Sequence, residues 1–231
     1  MTITNAVASG TNVRVDIGEV TIANGTTITN TATGATNVIT TNSNVSSIIM
    51  TGGTISGGTN SNVRLMNGDS FLMSGGTITG GTAANGGNIY VEGTTGAESV
   101  LTITGGTIEN GTTTGTRTGA NIRLNNGSSH LVVDGATIPG GIHANSTATV
   151  TLKNVVNINK GDSAYDYSLR MGNSAKLIVT EMTGGEVYIY TDNDGKVIAD
   201  NVATDLSAFF GCDRSGYSIV YSGTTLVHKK N

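Results

Sequence analysis

A chain of 231 residues with 34 glycines and a single proline carries about twice the usual share of glycine, which without proline excludes collagen-like and proline-rich segments. Thr, Asn and Ser number 38, 24 and 19; with glycine they make half the chain, and they disfavour helices because Ser, Thr and Asn compete for the helical backbone and each interior Gly costs about 1 kcal/mol. Charged residues at 12% and a net charge of −4 exclude the highly charged, weakly hydrophobic composition of a disordered chain and a generally basic surface for nucleic acid.

No apolar run approaches the roughly 20 residues of a membrane helix, so membrane insertion is not expected. The start, Met1-Thr2-Ile3-Thr4-Asn5, has neither a basic segment nor an apolar one, and no signal peptide is read there. Cys212 is the only cysteine and has no partner for an internal disulfide or a zinc cluster.

Along the chain one block recurs as Asn-φ-x-φ, where φ is apolar: Asn12-Val-Arg-Val15, Asn37-Val-Ile-Thr40, Asn62-Val-Arg-Leu65, Asn88-Ile-Tyr-Val91 and Asn121-Ile-Arg-Leu124. The starts are 25, 25, 26 and 33 residues apart, the scale of one solenoid coil. A second block reads φ-x-φ-x-Gly-Gly-Thr-Ile at Ile48 to Ile55, Phe71 to Ile78 and Leu101 to Ile108, with variants at Leu131 to Ile138 and Val150 to Ile158. Alternating apolar residues make each block a short half-buried strand, and the Gly pair is expected to break it before Thr-Ile begins another. Three strands per turn predict an all-β parallel β-helix of about nine coils of roughly 25 residues, stacked about 4.8 Å apart. Asn12, Asn37, Asn62, Asn88 and Asn121 then form a structural ladder, each amide bonding to the next Asn or to bend backbone.

Regular coils are expected over residues 12–160 of a single 1–231 domain, with irregular coils and a cap over 161–231. Of 28 charged residues 16 fall at or beyond Lys160, and of ten aromatics eight fall at or beyond Tyr165. Leu169-Arg-Met171, Leu177-Ile-Val179, Val187-Tyr-Ile189 and Val197-Ile-Ala199 continue the coils. Asp205 to Gly216 breaks the pattern and reads as a loop or short helix closing the end, since terminal repeats must differ.

The recurring Gly-Gly-Thr-Ile-x-Gly-Gly-Thr of residues 52–59 and 75–82, followed by Asn-Val-Arg-Leu or Gly-Gly-Asn-Ile-Tyr-Val, resembles repeats in large cell-surface proteins of gut-type anaerobic bacteria. Those are similar to the right-handed parallel β-helix of the pectate-lyase-like group. The resemblance implies an extracellular or cell-surface protein and carries over no catalytic residue, because this fold hosts lyases, hydrolases, adhesins and phage tailspikes.

Chemistry is sparse. Asp69, Glu92, Glu98, Glu109 and Asp134 are isolated acids; Glu109 and Asp134 are the best placed of them to face outward on neighbouring coils, a thin basis for a two-carboxylate mechanism. Asp192-Asn-Asp194-Gly195 lacks EF-hand spacing and reads as a turn, and His130 and His143, though on adjacent coils, lack a nucleophile motif. No catalytic residue, metal or cofactor is assigned.

The outward position of the Asn block is more informative: Arg14, Ile39, Arg64, Tyr90 and Arg123, extending to His143, Arg170 and Tyr188 if register holds. Guanidinium planes stack on rings, so Arg14, Arg64, Tyr90, Arg123, Arg170 and Tyr188 are the candidate ligand-binding residues, for a surface glycan; self-stacking and solubility are the competing account. A second outward ladder, from Thr27-Ile-Thr29 to Thr137-Ile-Pro139, is like those of ice-binding solenoids but is interrupted by Glu109 and Pro139. The expected function is a non-enzymatic structural or adhesive β-solenoid of a bacterial surface or self-assembling fibre, with head-to-tail or lateral self-association. The alternative is a carbohydrate-binding or carbohydrate-cleaving β-helix of a virion, similar to a phage tailspike, with Tyr165, Tyr167, Tyr188 and Tyr190 as sugar-stacking groups.

Overall fold

A computed structural model describes residues 1–4, 7–40, 45–115, 119–145, 147–160 and 167–231. Strand takes up 58% of the described residues, and the one helical turn among them is Ser207–Phe209. The chain winds into a parallel β-solenoid of about seven turns, fewer than the nine expected. The difference lies at the two ends: the described residues among the first ten supply only the strand Thr2–Thr4, and the residues after Val197–Ala199 go mostly into a cap.

Each turn has three faces. The first face stacks Thr11–Val15, Thr36–Thr40, Val63–Met66, Ile89–Glu92, Ile122–Leu124, Ile142–Ala144 and Leu169–Met171 in parallel. The second begins at Gly18–Ile22 and runs through the leading halves of Ser46–Ser56 and Ser70–Thr79, then Ser99–Ile103, Ser129–Asp134, and the leading parts of Thr149–Ile158 and Lys176–Tyr190. On the third, Thr2–Thr4 pairs with Thr27–Thr29, and the Thr-Ile segments of later coils follow. Every second residue turns inward, so Val63, Ile89 and Ile122 from the first face meet Ile48, Phe71, Leu101 and Leu131 from the second and Ile55, Ile78 and Ile108 from the third. All are at most 2% exposed. Each fully buried side chain of this size contributes roughly 1.5–3 kcal/mol, and the column is continuous along the axis.

The Gly-Gly pairs bend strands rather than ending them in two coils, contrary to the expected break. Ser46–Ser56 and Ser70–Thr79 each run through their pair, with the register slipping between Met50 and Thr54. Gly53 and Gly76 hold φ of 79° and 85°, a left-handed conformation that turns the chain through a corner and that other residues adopt at a cost. A Cβ at Gly53 would also stand 2.7 Å from the Thr26 carbonyl oxygen of the coil before.

The two ends differ. Among the described residues, Thr2–Thr4, Thr11–Val15 and Gly18–Ile22 each pair with a strand on one side only. At the other end, Tyr217–Ser222 and Thr225–Lys230 form an antiparallel hairpin whose second strand pairs antiparallel with Val197–Ala199. Closure by 205–216 was the expectation; instead Phe210–Cys212 of that segment still pairs in parallel with Val187, Tyr188 and Ile189, and the hairpin after it covers the stack.

Candidate functional site

Local chemistry at the start of each first-face strand sets up the outward ladder. The Nδ2 of Asn12 donates to Asn37 Oδ1 at 3.0 Å, Asn37 to Asn62 at 2.8 Å, Asn62 to Asn88 at 2.9 Å and Asn88 to Asn121 at 2.8 Å. The second hydrogen of each Nδ2 goes to a backbone carbonyl, that of Thr29, Ser56, Thr79, Glu109 or Gly140. Buried backbone groups at the bend are thereby satisfied, and the residue two positions later is held in one outward column.

That column reads Arg14, Ile39, Arg64, Tyr90, Arg123, His143, Arg170 and Tyr190, each in register with the next. Tyr188 was expected at its end and is displaced: register slips accumulated along Lys176–Tyr190 set Arg170 opposite Tyr190, while Tyr188 lies opposite Gly211. Its hydroxyl donates to Glu186 at 2.8 Å on the surface. Tyr165 lies outside the described residues. Tyr167 stacks on Tyr190 with centroids 3.8 Å apart, so these two rings fill the end of the column.

Three environments follow one another along it. At the open end Arg14 pairs with Asp16 at 2.7 Å, both side chains exposed, an arrangement worth little in water. In the middle the Arg64 guanidinium lies 4.7 Å from the centroid of the Tyr90 ring, a cation–π contact. Burial first and Glu92 next push the Tyr90 hydroxyl above its ordinary value, against the pull of Arg64 and Arg123, so the ring stays neutral. Deeper, Arg123 and His143 are 8% and 5% exposed. Arg123 Nη1 contacts His143 Nδ1, and Arg170 Nη1 contacts His143 Nε2 at 3.0 Å. A neutral imidazole accepts at one nitrogen only, so this trio is not fully complementary. Burial lowers the Arg123 pKa, and Arg170 adds to it while Tyr90 opposes it. Arg170 Nη2 reaches Asp192 at 2.9 Å, and that carboxylate also accepts from the Tyr190 hydroxyl at 2.8 Å. Burial and then this bond push the Tyr190 hydroxyl up to about 12.

Sequence reasoning missed Tyr190 and Asp192 as members of the column. The residue spacing that identified the earlier coils fails once the strand carries bulges. His130 and His143 do occupy adjacent coils but on different faces, His130 in register with Thr149 and His143 with Arg170. Glu109 and Asp134 are likewise on different faces. The turn at Asp192 to Gly195 is tied into the fold, with Asp194 Oδ1 accepting the Lys230 N–H at 3.0 Å. Among the described residues, no three His, Cys, Asp or Glu side chains converge as a metal site.

Chemically the accessible part of the column offers the Arg14 and Arg64 guanidinium groups for carboxylate or sulfate oxygens beside the Tyr90 ring, while Arg123 and His143 are buried. Compared with known proteins, the chain matches no family model, no curated protein and no solved structure.

Proposed function

We propose that the chain is a structural and adhesive module of an extracellular bacterial assembly, acting by display: a rigid solenoid presents its cationic and aromatic column to an acidic glycan. The observation that carries this reading is the succession Arg14, Arg64 and Tyr90 at the accessible end of the column, with Arg64 stacked over Tyr90 and the buried Arg123 behind them. Guanidinium groups recognise carboxylates and sulfates in a planar, two-pronged geometry, and an aromatic face between them suits a pyranose ring. The resemblance of the Gly-Gly-Thr-Ile repeats to those of bacterial surface proteins supports the location.

The test is binding of the purified protein to immobilised acidic and neutral polysaccharides. Arg14→Ala with Arg64→Ala removes two side chains that lie outside the buried trio, and the melting temperature should hold. Acidic polysaccharide binding should fall about tenfold or more, by roughly 1 kcal/mol per lost contact, and should weaken with added salt. Equal binding to neutral and acidic polymers, or no loss in the variant, would sink the reading.

A further inference from the structure

The second face carries a feature that the glycan reading does not use. Its outward column nearest the strand centres reads Thr21, Ile49, Leu72, Thr102, Val132, Thr151 and Ile178, in register over seven coils. Ile49 and Leu72 are neighbours, Val132 and Ile178 follow beyond Thr102 and Thr151, and Leu72 and Ile178 are 38% and 42% exposed while Thr151 is buried, so the face alternates aliphatic and threonine side chains with few charges. The column beside it reads Glu19, Ser47, Ser70, Val100, His130, Thr149 and Lys176. Its two formally charged ends are opposite in sign, Glu19 on the first coil and Lys176 on the last, and both are exposed.

We propose that this face binds a second copy of the chain, face to face, with the two solenoid axes antiparallel. Charge selects the orientation. Parallel axes place the first coils together and the last coils together, so neither Glu19 nor Lys176 meets a charge of opposite sign, whereas a two-fold axis along the strands sets each Glu19 against the partner copy's Lys176. The same operation lays Leu72 against Val132, Ile49 against Thr151, and Thr102 against itself, a self-complementary two-fold contact. Seven coils at about 4.8 Å by five strand residues at about 3.3 Å cover roughly 500 Å² per copy, or about 1,000 Å² in all, the lower bound of specific interfaces. The dimer is therefore a weak one, with a dissociation constant on the order of 10–100 µM.

Sedimentation velocity from about 10 µM to about 1 mM tests this on the full chain. The wild type should pass from monomer to dimer over that range, and Leu72→Lys, on an exposed outward position, should remain monomeric. Glu19→Lys and Lys176→Glu should each weaken association about tenfold, because each creates two like-charge pairs, and the double variant should regain wild-type affinity within about threefold. Monomer at every concentration overturns the proposal, as does a dimer indifferent to Leu72→Lys. A double variant weaker than both singles overturns the antiparallel orientation. Glycan binding, which uses the first face, stays unchanged in all these variants, so failure here and failure of the adhesive reading are separable.

Discussion

Asn62 uses all four hydrogen-bonding positions of its amide. It donates to the Thr79 carbonyl and to Asn88, and accepts from Asn37 and from the Gly58 N–H, at 2.8–2.9 Å throughout. Asn12, at the open end, makes the same two donations, but its Oδ1 is buried without a donor among the described residues. Removing Asn62 thus orphans several buried groups, each costing about 1–3 kcal/mol, while removing Asn12 orphans fewer. Asn62→Ala is expected to lower the unfolding free energy by about 3 kcal/mol and Asn12→Ala by about 1 kcal/mol. Urea titrations of the two variants measure this; equal losses would mean that the ladder adds nothing beyond each bend. Asparagine alone suits the position, because aspartate supplies no donor for the next coil and would stack like charges.

At the scale of the element, the closing hairpin hangs on His228. It is fully buried and stacks on Tyr217 with centroids 4.5 Å apart, and its Nδ1 faces the Asn193 carbonyl at 2.8 Å. Burial first, with Arg214 adding, holds its pKa below the ordinary 6.5, against the pull of the Asn193 carbonyl and Asp194. The unfolded chain therefore takes up the proton before the folded one. This contribution to stability is present above pH 6.5 and is lost as pH falls toward the depressed folded value. His228→Phe keeps a ring on Tyr217 and removes the titration. Its melting temperature should be somewhat lower at neutral pH, for want of the Asn193 bond, and should fall less steeply between about pH 7 and pH 5. An unchanged slope would assign the acid sensitivity elsewhere, with His130, also depressed by burial, as the residual source. This cap illustrates what was legible beforehand. The regular coils could be read because Asn12 to Asn121 and the Gly-Gly-Thr-Ile segments repeat the same turn chemistry at every corner. The hairpin could not, since its strands pair antiparallel and owe nothing to the repeat. Tyr190, read as a sugar-stacking group, was not placed in the column for a related reason: bulges in Lys176–Tyr190 change the register without leaving a mark in residue spacing. The outward aliphatic side chains of the second face were hidden within the strand pattern itself, because Ile49 and Leu72 read as strand-forming residues whether they point in or out.

For the whole molecule, the decisive property is that each coil touches only the coils above and below it. Stability is then a sum of coil terms and neighbour terms, and a lesion acts according to its place in the stack. Ile78 and Ile28 occupy equivalent inward positions on the third face and are 0% and 1% exposed. Truncating either to alanine costs about 2–5 kcal/mol locally. Ile28 lies in Thr27–Thr29, which pairs with Thr2–Thr4 on one side and with Ser46–Ser56 on the other, but Thr11–Val15 and Gly18–Ile22 of the same coil have neighbours on one side only among the described residues, so that end of the stack can fray while the rest stays folded. Ile78 has paired strands on both sides, and opening it separates the stack into two parts that each gain an exposed edge. Hydrogen exchange should therefore find protection in Ile28→Ala lost only within about the first 40 residues, roughly the first coil and its contacts. In Ile78→Ala the loss should extend across the coils on both sides, with a lower global melting temperature. Uniform loss in both variants would mean that the solenoid unfolds as one cooperative block, and that its open end is held as firmly as its middle.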